Sequence, residues 1–201
     1  MNKKTGRGRR PGSPDTQEAI RQAARERFLR DGYQGVTMRA VATDAGVDVA
    51  LVSYYFGSKQ GLFGAAMALP ANPAELLGAE LEGDQETLPE RLLRSLLLVW
   101  DAPETGAPLR ALAGNAASDP DLNRLVREVV GREIVDQLAA YLATPDARQR
   151  AAAFCTQVAG LIFSRYVFQF EPMASMHPDD IVTRLAPSLR LALFPSGTGL
   201  R

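Results

Sequence analysis

Only one cysteine, one histidine and one tryptophan occur among the 201 residues. A lone Cys155 excludes an internal disulfide and fits a reducing compartment. Cys155 and His177 together cannot supply the ligands of a zinc site at the usual spacing, so no metal is expected, and no other cofactor. No apolar run reaches the length of about 18 residues that a membrane span needs. No apolar segment follows the charges of "MNKKTGRGRRPGSP" either, so no signal peptide is expected and a cytoplasmic location is. Glycine-rich phosphate loops, a Ser/His/Asp set and a base beside Cys155 are all missing, which leaves catalysis without visible support. Alternating Val/Ile-rich runs are lacking too, and with them the signal for strands.

Net charge is zero overall, yet it is unevenly spread. Residues 1–62 carry eleven Lys/Arg against six Asp/Glu, and residues 63–201 carry twelve against seventeen. A basic head on an acidic body suggests a polyanion-binding module joined to a part with another task, although an uneven solvated surface gives the same balance. Residues 1–12 combine Lys3, Lys4, Arg7, Arg9 and Arg10 with three glycines and no acid. That segment cannot bury enough apolar surface to fold alone, and it reads as a flexible basic arm.

Three domains of sequence follow from the breaks: the arm 1–12, a small helical domain 13–62 and a larger helical domain 63–201. Ser13-Pro14-Asp15 opens a helix whose apolar face is Ile20, Ala23, Ala24 and Phe28, and Gly32 supplies its stop. Thr37 caps "MRAVATDA", Asp48 caps "VALVSYYF", and Ser58 caps "KQGLFGAAM". The middle pair has the form of a helix-turn-helix, with Gly46 free to take positive φ in "DAGVD". Ala42 and Ala45 are small enough for two helices to cross closely, and Val41, Val47 and Val52 can fill the angle between them. Beyond residue 70 the proline breaks predict helices near 75–82, 89–100, 108–117, 120–142, 146–170 and 178–194. The expected class is all α.

Residues 36–63, "VTMRAVATDAGVDVALVSYYFGSKQGLF", resemble the DNA-binding signature of the tetracycline-repressor (TetR) family of bacterial transcription regulators. The shared features are a Thr-capped helix, an Ala-x-x-Ala-Gly-Val turn and a recognition helix running into Tyr-x-aromatic-Phe-x-x-Lys. Including the first helix, the resemblance covers about sixty residues; beyond them it extends only to length, helicity and helix order. It implies a double-stranded DNA operator as partner, a homodimer and a small hydrophobic effector bound in the helical body. In such a reader, Val49, Ala50 and Ser53 face the major groove, with Val52 and Phe56 turned inward. Arg39 is a candidate bidentate reader of guanine, while Thr37, Tyr54, Tyr55 and Lys59 contact phosphates, with both tyrosine hydroxyls at the rim. Ser53 departs from the tyrosine common in the family. Asp48 is a sound cap that repels phosphate.

In the body, Leu97, Trp100, Phe154, Val158, Ile162, Phe163 and Tyr166 are candidates to line the effector pocket, with Arg165 as an anchor for an anion. Ala152, Cys155 and Ala159 form a small-residue stripe for the dimer interface, joined by Ile181, Leu185 and Leu189 on the last helix. The expected function is a repressor released from a palindromic operator. The alternatives are a constitutive regulator or activator without an effector, and an all-α enzyme acting on a hydrophobic substrate.

Overall fold

The computed structural model describes residues 14–69 and 73–195, and every regular element among them is helical. The basic arm and the Ser13 cap lie outside the described residues. The chain divides into two units, the first ending at Met67 and the second beginning at Ala68.

Four helices build the first unit. Helix α1 (Pro14–Gly35) places Ile20, Ala24 and Phe28 on one face, each fully enclosed. Gly32 takes φ 74° within this span, so the backbone departs from the helix where the sequence places a stop. The departure turns Tyr33 into the core, stacked on Phe28 at 5.7 Å and edge-on to Phe63 at 5.4 Å. Helices α2 (Met38–Ala45) and α3 (Val49–Phe56) follow, and α4 (Lys59–Ala66) closes the unit. Val41, Ala42, Val52, Leu62 and Phe63 complete the core. The boundary expected after residue 62 therefore falls inside α4, because Leu62 and Phe63 both belong to the first unit's core.

Polar clasps fix these helices. Arg27 of α1 bonds Asp44 of α2 through both Nε and Nη2, the latter at 2.8 Å. Arg25 Nη1 donates to the carbonyl of Ala66 at the end of α4, 3.3 Å away. A Cβ on Gly61 would lie 2.2 Å from the Phe56 carbonyl oxygen, so only glycine lets α4 turn back so tightly on α3.

The second unit holds α5 (Pro73–Leu81), α6 (Leu88–Asp101), α7 (Pro103–Ala116), α8 (Pro120–Val129), α9 (Asp136–Leu142), α10 (Ala147–Ile162) and α11 (Pro178–Leu193). Leu93 and Leu97 of α6, Leu138 of α9, Phe154 and Leu161 of α10, and Ile181, Leu189 and Leu193 of α11 share one core. The stretch expected as a single helix over 120–142 is interrupted by a π-helical segment at Val130–Val135, and α10 likewise passes into one at Phe163–Val167.

Pro108 does not begin a helix as its position suggests; it lies inside α7. Its missing N–H costs one backbone bond, which tertiary ties to α6 outweigh. Thr105 Oγ1 donates to Val99 O at 2.6 Å, and Arg110 Nη1 to Trp100 O at 2.5 Å.

Candidate nucleic-acid interface

Local hydrogen bonds set the ends of α2, α3 and α4. The Thr37 hydroxyl accepts from the Ala40 amide at 3.1 Å. Gly46 adopts the left-handed conformation (φ 65°, ψ 37°), and the Val47 amide bonds the Ala42 carbonyl at 2.9 Å, closing α2 with a Schellman-type turn. Asp48 Oδ1 accepts from the Ala50 amide at 2.7 Å, which starts α3 at once. Gly57, at φ 66°, ends α3, and Ser58 Oγ accepts from the Gly61 amide at 3.0 Å to start α4. Two short helices are thus held at a turn whose every cap is made by the residue type the sequence supplies.

Thr37, Arg39, Ala50, Ser53 and Tyr54 are exposed, and Val49 is half-buried. Tyr54 is 81% exposed, so its ring and hydroxyl are open to solvent. The Thr37 hydroxyl uses a lone pair for its cap and keeps its proton to donate. Arg39 stands outside every ion pair of the described residues.

Tyr55 differs from expectation. Its hydroxyl is buried without a hydrogen-bond partner, so it does not sit at a solvent rim beside Tyr54. Its ring packs between those of Tyr54 (5.4 Å) and Phe56 (6.1 Å). Phe56 is only half-buried, whereas Val52 is fully enclosed, so Val52 alone anchors α3 in the core. Lys59 is half-buried, with its Nζ 4.7 Å from the Tyr33 ring centroid and 3.4 Å from the Gln34 carbonyl oxygen. Sequence reasoning did not single out Tyr33. Its only signal was an aromatic residue placed directly after the helix-stopping Gly32.

In the second unit the candidate pocket residues are neighbours, but they pack on one another. Leu97, Phe154 and Tyr166 lie within the core, with Trp100 and Val158 packed against it. Ile162 and Phe163 are half-buried at the end of α10 and the start of the π segment. Trp100 meets the Tyr166 ring at 5.2 Å. A crevice of about 20 Å³ opens between α6, α10 and α11, lined by Leu93, Gln157, Val158, Leu161, Leu185 and Leu189. Its volume suits one water molecule.

Arg165 does not offer its charge to an anion. Nε and Nη2 bond Asp101, and Nη1 donates to the carbonyls of Met173, Ala174 and Met176 at 2.8, 3.1 and 2.9 Å. Tyr166 also donates to Asp101, at 3.0 Å, and burial pushes its phenol well above the usual range.

Of the residues expected at a dimer surface, Ile181 and Leu189 are enclosed by the protomer's own core, which leaves them nothing to present to a second copy. Leu185 and Cys155 are half-buried against the same core. Ala152 and Ala159 are exposed on α10, beside Thr156 and Gly160. Burial raises the Cys155 thiol to about 11, far from a thiolate nucleophile. His177 caps α11, its Nδ1 accepting from the Asp179 amide at 3.3 Å. Among the described residues no His/Cys/Asp/Glu cluster could hold a metal ion, and no helix is long and apolar enough to cross a membrane.

Comparison with known proteins bears on both units. The family model described as "Bacterial regulatory proteins, tetR family" matches residues 20–66, and that described as "Tetracyclin repressor-like, C-terminal domain" matches residues 86–193. The HTH-type transcriptional regulatory protein RaaS of Mycobacterium tuberculosis is 58% identical over 43 residues, 21% of this chain and 20% of that protein. The HTH-type transcriptional regulator BetI of Burkholderia thailandensis is 30% identical over 129 residues, 61% of this chain and 66% of its own. The chain thus aligns with a fifth of the first curated relative and just under two thirds of the second. A TetR-family regulator from Streptomyces coelicolor, of known crystal structure, is 33% identical, with 92% of this chain and 98% of that one covered at a TM-score of 0.49.

Proposed function

The chain belongs to the tetracycline-repressor (TetR) family of bacterial regulatory proteins, and from that premise we propose that it is a sequence-specific DNA-binding transcription regulator. One observation carries the reading: Thr37, Arg39, Ala50, Ser53 and Tyr54 stand exposed on two short helices whose ends are locked by Thr37, Gly46 and Asp48. An exposed, capped helix-turn-helix can lay α3 in a major groove, where Ala50 meets thymine methyls, Ser53 a base edge and Arg39 the paired acceptors of guanine. Thr37, Tyr54 and Lys59 then serve phosphates. Val49 borders the same face, and Tyr55 contributes by packing the Tyr54 ring.

A homodimer suits such a reader, because two recognition helices read two half-sites about 34–36 Å apart. Ala152, Thr156, Ala159 and Gly160 on α10 and Ser188 on α11 are exposed and small enough for close helix approach, with Pro187 and the apolar Leu191 exposed beside Ser188 on α11. The two helices are tied together by Ser188 Oγ donating to Gln157 Oε1 at 2.8 Å. In this reading the protein works in the cytoplasm as a repressor and leaves its palindromic operator when a small hydrophobic effector favours another spacing.

Selection of bound duplexes from a random pool tests the core of the proposal. An enriched inverted repeat is expected, with affinity falling steeply as salt rises. Enrichment of nothing over random DNA would overturn it.

A second reading, a regulator or activator without an effector, draws on the packing of Leu97, Phe154 and Tyr166. Ligand pockets usually hold about 300 Å³ or more, against about 20 Å³ in the crevice beside them. An effector seated among these side chains would have to open this core. A thermal-shift screen of lipophilic compounds separates the two: stabilisation coupled to operator release supports the repressor, and no shift from any compound supports the constitutive form.

A further inference from the structure

We propose that Tyr33 is a positioning residue for DNA binding, holding the Lys59 ammonium toward the phosphate backbone; this rests on the DNA-binding reading above. Three observations converge on it. Lys59 Nζ lies 4.7 Å from the Tyr33 ring centroid, inside the range of about 6 Å over which a ring quadrupole attracts a cation. The same nitrogen is 3.4 Å from the Gln34 carbonyl oxygen. Lys59 is also the first residue of α4, after the Ser58 cap, where the positive end of the helix dipole disfavours a cation. The charge is therefore held at this place by α1, from outside its own helix.

Tyr33 is itself only 4% exposed, stacked on Phe28 and edge-on to Phe63. Its ring cannot lie against DNA, so an effect on binding passes either through Lys59 or through the fold of the unit, and the two routes are separated below. An unrestrained lysine loses much rotamer freedom when a phosphate immobilises it. A lysine already resting on an aromatic face and a carbonyl has lost part of that freedom in the free protein, which favours association.

The test measures binding of the full chain to a random-sequence duplex over a salt series, because phosphate contacts need no operator. Four proteins are compared: the unaltered chain, Tyr33→Leu, Lys59→Met and the double variant. Tyr33→Leu is expected to weaken binding about two- to five-fold at fixed salt, and Tyr33→Phe to leave it unchanged. Lys59→Met is expected to lower the salt slope by about one, and adding Tyr33→Leu to it should cost nothing more. Losses that add in the double variant would overturn the assignment, since Tyr33 would then act only through the fold. Should Tyr33→Leu not fold, phenylalanines of increasing fluorination at position 33 keep the ring's shape and weaken its negative face. Affinity falling with fluorination supports the proposal, and affinity independent of it overturns the proposal. Failure of the unaltered chain to bind any duplex would overturn the DNA-binding reading itself, an outcome distinct from all of these.

Discussion

Arg165 and Asp101 meet through two hydrogen bonds, of 3.2 and 3.3 Å, with the arginine side chain only 9% exposed. The pair joins the end of α6 to the π segment after α10, and the third nitrogen of Arg165 gathers the carbonyls of the loop before α11. Removing the carboxylate leaves a nearly buried guanidinium half-satisfied. Asp101→Ala is expected to lower unfolding stability by about 1–3 kcal/mol, read as an earlier urea midpoint at unchanged slope. Arg165→Lys should not restore what Arg165→Ala loses, because an ammonium cannot reach both sides of this fork.

The clasp between Arg27 and Asp44 makes stability depend on acid. The Arg27 hydrogen bond holds the Asp44 carboxyl below its usual range, so the unfolded chain takes up a proton first as pH falls. The contribution is fully present above about pH 4, the ordinary aspartate value, and is lost as pH falls through the lowered folded value. Asp44→Asn is therefore expected to be less stable than the unaltered protein at pH 7 and to converge with it in strong acid. Urea midpoints that stay a constant interval apart down to the acid limit would count against the clasp.

Cys155 acts at the opposite end of the pH scale. Burial raises its thiol to about 11, so the folded state keeps a proton that the unfolded state releases. Stability from this group is fully present below about pH 8.5 and declines as pH rises toward about 11. Cys155→Ala should remove that decline. Iodoacetamide at pH 8 is expected to label the native thiol slowly and the urea-unfolded thiol quickly, with labelling followed by mass spectrometry.

Arg39 is exposed and outside any ion pair of the described residues, which leaves its fork available to a base. Arg39→Ala is expected to cost about 1–3 kcal/mol of operator affinity and to relax preference at one guanine. Repeating the duplex selection with the variant reads this directly. A uniform loss at every position, with a shallower salt slope, would make Arg39 a phosphate contact instead.

How much was legible in the sequence depended on the range of the interaction. The bounds of α2 and α3 coincide with "MRAVATDA" and "VALVSYYF" because Thr37, Gly46, Asp48 and Gly57 end them through bonds spanning a few residues. Such bonds are written where they act. Pro108 was misleading for the converse reason: its local cost is real, but the Val99 and Trp100 carbonyls of α6 offset it by accepting from Thr105 and Arg110 of α7.

The sequence by itself thus determined the helical class, the capped helix-turn-helix and the family signature, all of which rest on local chemistry. Only tertiary structure decided which neighbour each side chain meets. The stripe of Ile181, Leu185 and Leu189 has the same spacing whether it faces its own core or a second copy, and the packing of α6 and α10 turned it inward. Arg165 could have served an anion until Asp101, distant along the chain, and three carbonyls of the following loop surrounded it. Tyr33 became a platform for Lys59 because Gly32 broke α1 and the core closed over the ring. A periodic pattern records that a face is apolar, and what covers that face is a property of the folded chain.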